Sequence, residues 1–163
     1  MRHAHAGTKD RWEGDDRLRP LSQRGRAEAL ALVDLILSYG PKQVVTSPLL
    51  RCVQTVEPLA RRLGLPIEQS ESLGPQGDAD AARLLRTLAL APHAVVVCTH
   101  GETIEALQRR LGRPGKGFGP GSAHEKGSVW LLRSSGGRFS SAIYLPPGNG
   151  HRAAESLEDP SRV

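Results

Sequence analysis

Two apolar runs stand out from an otherwise mixed pattern. Gln43 to Thr46 is short and β-branched, and Ala94 to Thr99 carries an unbroken Val-Val-Val-Cys centre. Apolar runs this short, without polar alternation, suit strands buried on both faces of a mostly parallel sheet. Elsewhere the apolar positions recur at helical spacing. Ser22 is a natural N-cap for a helix over Gln23 to Tyr39, with Ala27, Leu30, Val33 and Leu37 as its apolar face. Gly40-Pro41 stops that helix. Pro48 suits a first helical turn, and the next helix runs to about Leu63, with Gly64 as its cap and a kink at Pro58.

Pro66 to Gly77 reads as irregular. Asp78 or Asp80 caps a helix through Leu90, and Thr103 to Leu111 is helical. Gly112 to Gly121 is rich in glycine and proline and reads as a mobile loop. Gly127 to Arg133 and Ser141 to Leu145 read as strands joined by a turn at Ser135-Gly136-Gly137. Strands alternating with helices predict a three-layer α/β/α sandwich around a mostly parallel central sheet. The domain spans residues 1–145, and the polar stretch 146–163 reads as a disordered tail.

Composition narrows the function. A chain of 163 residues fits one domain with a real core. No apolar run reaches the roughly 18 residues of a membrane span, and no signal peptide precedes the first motif. A cytoplasmic, membrane-free protein is the expectation, with Cys52 and Cys98 as reduced, buried thiols. The net charge of +5 favours anionic ligands, but the arginines are scattered. Aromatic residues make up only 4%, so no base-stacking platform supports a nucleic-acid partner.

Three segments carry the chemistry. They are Arg2-His3-Ala4-His5-Ala6-Gly7, then Ser47-Pro48-Leu49-Leu50-Arg51-Cys52-Val53-Gln54-Thr55, then Cys98-Thr99-His100-Gly101-Glu102. Open α/β sheets bind ligands at the carboxyl ends of their strands, and Arg51 and His100 each follow an expected strand. Guanidinium groups grip phosphate by charge-assisted, bidentate bonds, and a neutral imidazole can attack phosphorus. Taken alone, Arg51 could be a solvated helix residue and His100 a satisfied strand-end histidine. The ordered set points to one anion pocket. Gly7 lets backbone N–H groups approach an anion, while Thr8 offers a hydroxyl or a plain loop residue. His3 and His5 form an H-x-H pair, but no third ligand cluster accompanies them, so no metal is expected.

In this order the segments resemble the histidine phosphatase superfamily, the phosphoglycerate-mutase-like enzymes. Closest in look are SixA-type phosphohistidine phosphatases and the phosphatase domain of actinobacterial Nudix-linked nucleotide-sanitation enzymes. Gly14-Asp15-Asp16-Arg17-Leu18-Arg19-Pro20-Leu21-Ser22 and Lys126-Gly127-Ser128-Val129-Trp130 favour the Nudix-linked type. The resemblance implies His3 as nucleophile, forming a phosphohistidine that water hydrolyses. It implies Arg2, Arg51 and His100 on the phosphoryl oxygens, with Gly7 and Gly101 beside them, and no metal or cofactor.

For the proton donor, mutase-type relatives carry a glutamate beyond the second motif, where Glu71, Glu68 and Asp78 stand. Leu73-Gly74-Pro75-Gln76-Gly77-Asp78 resembles a SixA-type stretch that lacks this glutamate, so Asp78 is alternatively a helix cap. The family places a central strand just before R-H-A, whereas this sequence opens at Met1. The expectation is therefore an N-terminally truncated domain with unpaired backbone rows and an unanchored nucleophile.

The expected activity is metal-independent phosphohydrolysis of a phosphomonoester, a phosphohistidine or a nucleoside diphosphate. The alternative is a non-catalytic phosphoryl-binding or regulatory remnant of a Nudix–phosphatase fusion. Partners would be a phosphorylated small molecule or phosphohistidine protein, and a Nudix hydrolase in trans or fused. Mutase activity fits less well, because the long insertions that enclose a bisphosphorylated sugar acid are missing.

Overall fold

The computed structural model describes residues 1–76, 78–111 and 118–148. Most of the glycine-rich loop expected at 112–121 and most of the expected tail lie outside the described residues.

β1 (Gln43–Thr46) and β3 (Val95–Cys98) form where the apolar runs stand, and they pair in parallel, with Val44 opposite Val96 and Val45 opposite Val97. A third parallel strand, β2 (Ile67–Gln69), pairs with the other edge of β1. Its segment reads as irregular in the sequence because Glu68 and Gln69 are exposed; backbone pairing, not apolar patterning, makes it a strand. β4 (Val129–Ser135) and β5 (Arg138–Leu145) form a separate antiparallel hairpin. Its turn puts Gly136 and Gly137 at φ 56 and 74, the left-handed values a tight hairpin requires.

The two-residue period of the strands divides the core between the sheet's faces. Val44, Val96 and Cys98 pack against Leu32, Leu35 and Ile36 of α1 (Gln23–Leu37) and Val56 and Leu59 of α2 (Leu50–Leu63). Val45, Val95 and Val97 pack against Ala81, Ala82 and Leu85 of α3 (Asp78–Leu88) and Leu107 of α4 (Gly101–Arg110). The result is the expected three-layer α/β/α arrangement.

The apolar face of α1 differs from the expected one. Gly25, Ala29, Leu32, Leu35 and Ile36 are buried, while Ala27 is exposed and Leu30 is 63% exposed. The small residues decide this. A Cβ on Gly25 would collide with the His5 carbonyl, so α1 lies directly on the loop after His3. Ser22 caps α1 as expected, accepting from Gly25 N–H at 3.1 Å. α2 starts two residues beyond Pro48 and runs unbroken through Pro58 to Gly64, which caps it at φ 66.

Between β3 and β4 the sheet is open, and Met1 to His3 occupy only its carboxyl end. The Met1 amino group donates to Val97 O at 2.7 Å, Thr99 N–H donates to Met1 O at 3.0 Å, and His3 N–H donates to Thr99 O at 3.0 Å. That alternation is a parallel ladder, and Arg2 bridges Thr99. On the other side, Arg2 N–H donates to Ser128 O and Gly127 N–H to His3 O, both at 3.1 Å. The expectation of an unanchored nucleophile is therefore corrected: His3 is held by backbone bonds on both flanks. Beyond Met1 the gap continues as an apolar cavity of about 230 Å³, lined by Met1, Val95, Val97, Val129, Leu131 and other apolar side chains.

Candidate active site

His3 sits where the Met1–His3 stub leaves the sheet, and it is 5% exposed. Its Nδ1 lies 2.8 Å from the Ala4 carbonyl oxygen, an acceptor only, so Nδ1 carries the proton and Nε2 keeps its lone pair. Burial pushes the imidazole pKa down to about 3, with further lowering from His100, Arg51 and Arg2, against the opposing pull of the Ala4 bond. His3 is therefore neutral across the physiological range.

His100 follows β3 and caps α4, at 1% exposure. Its ring lies edge-on to that of His3, with centroids 5.3 Å apart. Arg51 Nη2, which can only donate, is 3.4 Å from His100 Nδ1, so the His100 proton sits on Nε2, 2.8 Å from Ser47 Oγ. Burial and then Arg51 push the His100 pKa down to about 4. Cys52 Sγ touches the same ring at 3.5 Å from Nε2, and burial pushes the Cys52 thiol up. Both cysteines are free and buried, as the sequence suggests.

Arg51 occupies the first turn of α2, buried to 4%. Arg2 lies against the start of α4, where a Cβ on Gly101 would come within 3.0 Å of the guanidinium carbon. Gly101 thus serves by giving Arg2 room, and Arg2 Nη1 donates to His124 O at 2.8 Å. The Nε atoms of both arginines are buried without a hydrogen-bond partner. Unpartnered buried donors on two cations beside a neutral imidazole suit an anion. The structure thus brings together His3, His100, Arg2 and Arg51.

Other expected residues take different parts. Gly7 adopts φ 65, but its N–H points to His5 Nδ1 at 3.4 Å, so it shapes the loop and does not present a donor to the pocket. His5 Nδ1 also lies 2.8 Å from Ser22 Oγ, which makes His5 a brace for the α1 cap. Thr8 is exposed. Among the described residues, no group of three His, Cys, Asp or Glu side chains is placed to hold a metal ion.

Glu71 stands at the carboxyl edge, but Arg17 binds its exposed carboxylate at 2.7 Å and holds its pKa below the usual value, so it is poorly set to release a proton. Glu68 bonds the Gln43 side-chain amide at the start of β1, away from His3. The Asp78 side chain lies outside the described residues.

Sequence reasoning missed the groups that orient the pocket. Asp16 binds Arg51 Nη2 at 3.1 Å and Arg19 Nε at 2.7 Å, and its backbone carbonyl accepts from Arg51 Nη1 at 2.8 Å. Those cations hold its carboxyl below its ordinary pKa. Thr55 Oγ1 accepts from Ala4 N–H at 3.0 Å and donates to Arg51 O at 2.6 Å, while Gln54 Oε1 accepts from Leu21 N–H at 2.8 Å. The Gln-Thr pair of the second segment therefore ties both loops of the site to α2.

Comparison with known proteins finds phosphatases. The profile of the histidine phosphatase superfamily (branch 1) matches residues 1–74. An 8-oxo-(d)GTP phosphatase of Mycolicibacterium smegmatis is 37% identical over 152 residues, covering 90% of this chain and 47% of its own length. The chain thus spans about half of that curated relative. The solved structure of the protein histidine phosphatase SixA complexed with tungstate aligns with a TM-score of 0.66 at 26% identity, over 90% of this chain and 92% of that one. A putative phosphohistidine phosphatase SixA from Agrobacterium tumefaciens shares the fold with a TM-score of 0.69 at 23% identity, over 90% and 95% of the respective chains.

Proposed function

We propose that this chain, similar to the histidine phosphatase superfamily over residues 1–74, is a phosphohydrolase in which His3 is the nucleophile. The carrying observation is the state of His3. It is neutral, its Nδ1–H is committed to Ala4, and it lies beside His100 and Arg51. In the first step Nε2 forms a bond to phosphorus as the bond to the leaving atom breaks, an oxygen in a diphosphate or ester and a nitrogen in a phosphohistidine, leaving His3 phosphorylated. In the second step water displaces the histidine and releases phosphate. Arg2 and Arg51 stabilise the charge on the phosphoryl oxygens through donors fixed before substrate arrives. His100 turns a lone pair toward Arg51, so in this state it serves by orienting that guanidinium; it becomes a donor to phosphate once a bound dianion raises its pKa.

Asp16 and Glu71 are both held ionised, so neither is a ready acid for the leaving group. That favours substrates with good leaving groups, a phosphohistidine or a diphosphate, over simple alkyl phosphates. Likeness to the 37%-identical 8-oxo-(d)GTP phosphatase supports a nucleotide among these, and likeness to the protein histidine phosphatase SixA supports a phosphohistidine. A Nudix hydrolase, fused or in trans, and a cytoplasmic location with reduced Cys52 and Cys98 complete the proposal. The test is to trap the intermediate. Rapid quenching with a labelled substrate should give an acid-labile, base-stable phosphoenzyme that His3→Ala lacks, formed equally in EDTA. No phosphoenzyme, or one that persists in His3→Ala, overturns the assignment.

A further inference from the structure

The side chains of this site lie in two tiers. His3, Arg51 and His100 form a buried floor, at 5%, 4% and 1% exposure. Lys126 stands above it on the rim and is half-buried. Its place is fixed by the backbone on both sides. Gly127 N–H donates to His3 O at 3.1 Å, and Arg2 Nη1 bonds His124 O at 2.8 Å, so residues 124–127 lie over Arg2 and His3. The Lys126 amine reaches across the pocket mouth to Gly7 O at 3.5 Å, its one side-chain hydrogen bond among the described residues.

That amine is short of counter-charge. Burial and the neighbouring Arg2, Arg19 and Arg24 push its pKa down. Glu28 is near, but Oε2 accepts from His5 N–H at 2.8 Å and Oε1 binds Arg24 at 2.7 Å. An ammonium group kept among arginines, without a carboxylate of its own, is stabilised when an anion arrives.

We propose that Lys126 forms a second anion subsite at the mouth of the pocket, which takes the non-transferred phosphate of a diphosphate substrate. This rests on the phosphohydrolase reading and selects among its substrates. The terminal phosphoryl group lies on the floor beside His3, and the phosphate one bridging oxygen away meets the Lys126 amine at the rim. A phosphohistidine or simple monoester offers nothing to that amine. The same contact would steady the departing phosphate in a site whose carboxylates are already ionised.

The test compares kcat/KM for ADP and for p-nitrophenyl phosphate in the wild-type chain, Lys126→Met and Lys126→Arg. The ratio of ADP to p-nitrophenyl phosphate should fall about 10- to 100-fold in Lys126→Met, the worth of one charge-assisted bond. Lys126→Arg should restore most of it. An unchanged ratio, with both substrates falling together, overturns the subsite. Calorimetric binding of inorganic pyrophosphate against inorganic phosphate keeps the question separate from turnover. If neither substrate is hydrolysed, the phosphohydrolase reading fails, yet a selective loss of pyrophosphate binding in Lys126→Met still supports the subsite. Equal loss of both ligands rejects it.

Discussion

The carboxyl edge of the sheet and the gap between β3 and β4 are built on opposite terms, a few residues apart. At the edge, every functional side chain is tied by at least one polar bond: His3 to Ala4, His100 to Ser47, Arg51 to Asp16 and Arg2 to His124. In the gap there is an apolar cavity, and among the described residues Met1 to His3 bridge the sheet. The site draws its order from loops stitched to α1 and α2 and from the backbone bonds of the stub that carries the nucleophile. Chemistry and stability should therefore be separable by mutation, the first at the edge and the second in the gap.

The largest effect tests the edge alone. His3→Ala should lower turnover by roughly 10⁴-fold or more, as removal of a nucleophile does. Its melting temperature should move by no more than about 4 °C, the equivalent of ~1 kcal/mol in a chain of this size. Thermal melting beside steady-state kinetics checks both. A variant that loses its fold along with its rate would show that the edge also supports the gap.

Acid is the second way to press the comparison. His3 and His100 are held neutral, with pKa values pushed down to about 3 and about 4, against about 6.5 for an unfolded histidine. The unfolded chain therefore binds more protons than the folded one between these limits. Stability from this source is complete above about pH 6.5 and is lost as pH falls toward the folded values. A tenfold loss of proton affinity on folding corresponds to ~1.4 kcal/mol, so the two histidines together amount to several kcal/mol. Urea melts between pH 7.5 and 4.5 should show the decline. His3→Ala should flatten it, because one of the two buried bases is gone. An equal slope in both proteins would place the acid sensitivity elsewhere.

How much of this was legible from residues alone depends on which force set each feature. β1 and β3 could be read because burial on both faces demands an unbroken apolar run. The four pocket residues could be read because phosphate chemistry calls for those residue types and their order along the chain resembles that of the histidine phosphatases. The face of α1 could not, since its contact with the site rests on Gly25 and Ala29, which add nothing to an apolar stripe, while Leu30 stays in solvent. β2 is defined by backbone pairing at a polar edge. Asp16 reads as one charge in a charged loop, and only the fold shows it gripping Arg19 and Arg51 together.

That grip gives the third prediction. Asp16→Asn removes the charge that holds both guanidinium groups, so Arg51 should lose its fixed direction. Displacements on the scale of 1 Å cost on the order of 100-fold, and kcat/KM should fall by about that much with little change in melting temperature. A rise in kcat/KM would mean that Asp16 competes with phosphate for Arg51.

The smallest expected effect tests the gap. Arg2 bridges Thr99, so residues added before Met1 would run opposite Val97, Val96 and Val95 in turn. Lys42 N–H takes Ala94 O and Ser47 N–H takes Cys98 O. By alternation those residues face β1, while Val95 and Val97 turn their backbone groups to the gap. A four-residue apolar, β-branched extension would supply partners for those groups and fill the cavity beyond Met1. It would also replace a buried amino group, whose pKa burial pushes down, with a neutral amide making the same bond to Val97 O. Each hydrogen bond is worth about 1 kcal/mol net, and each buried apolar side chain about 1.5–3 kcal/mol. Ordering the added residues costs about 1–2 kcal/mol apiece. Most of the gain is cancelled, leaving a rise of a few degrees in melting temperature. Hydrogen exchange is the sharper readout, with the Val95 and Val97 amides slowing in the apolar extension and not in a Gly-Ser extension of equal length. If the two extensions protect those amides equally, or neither does, the gap is not a seat for a strand and the sheet is complete as it stands.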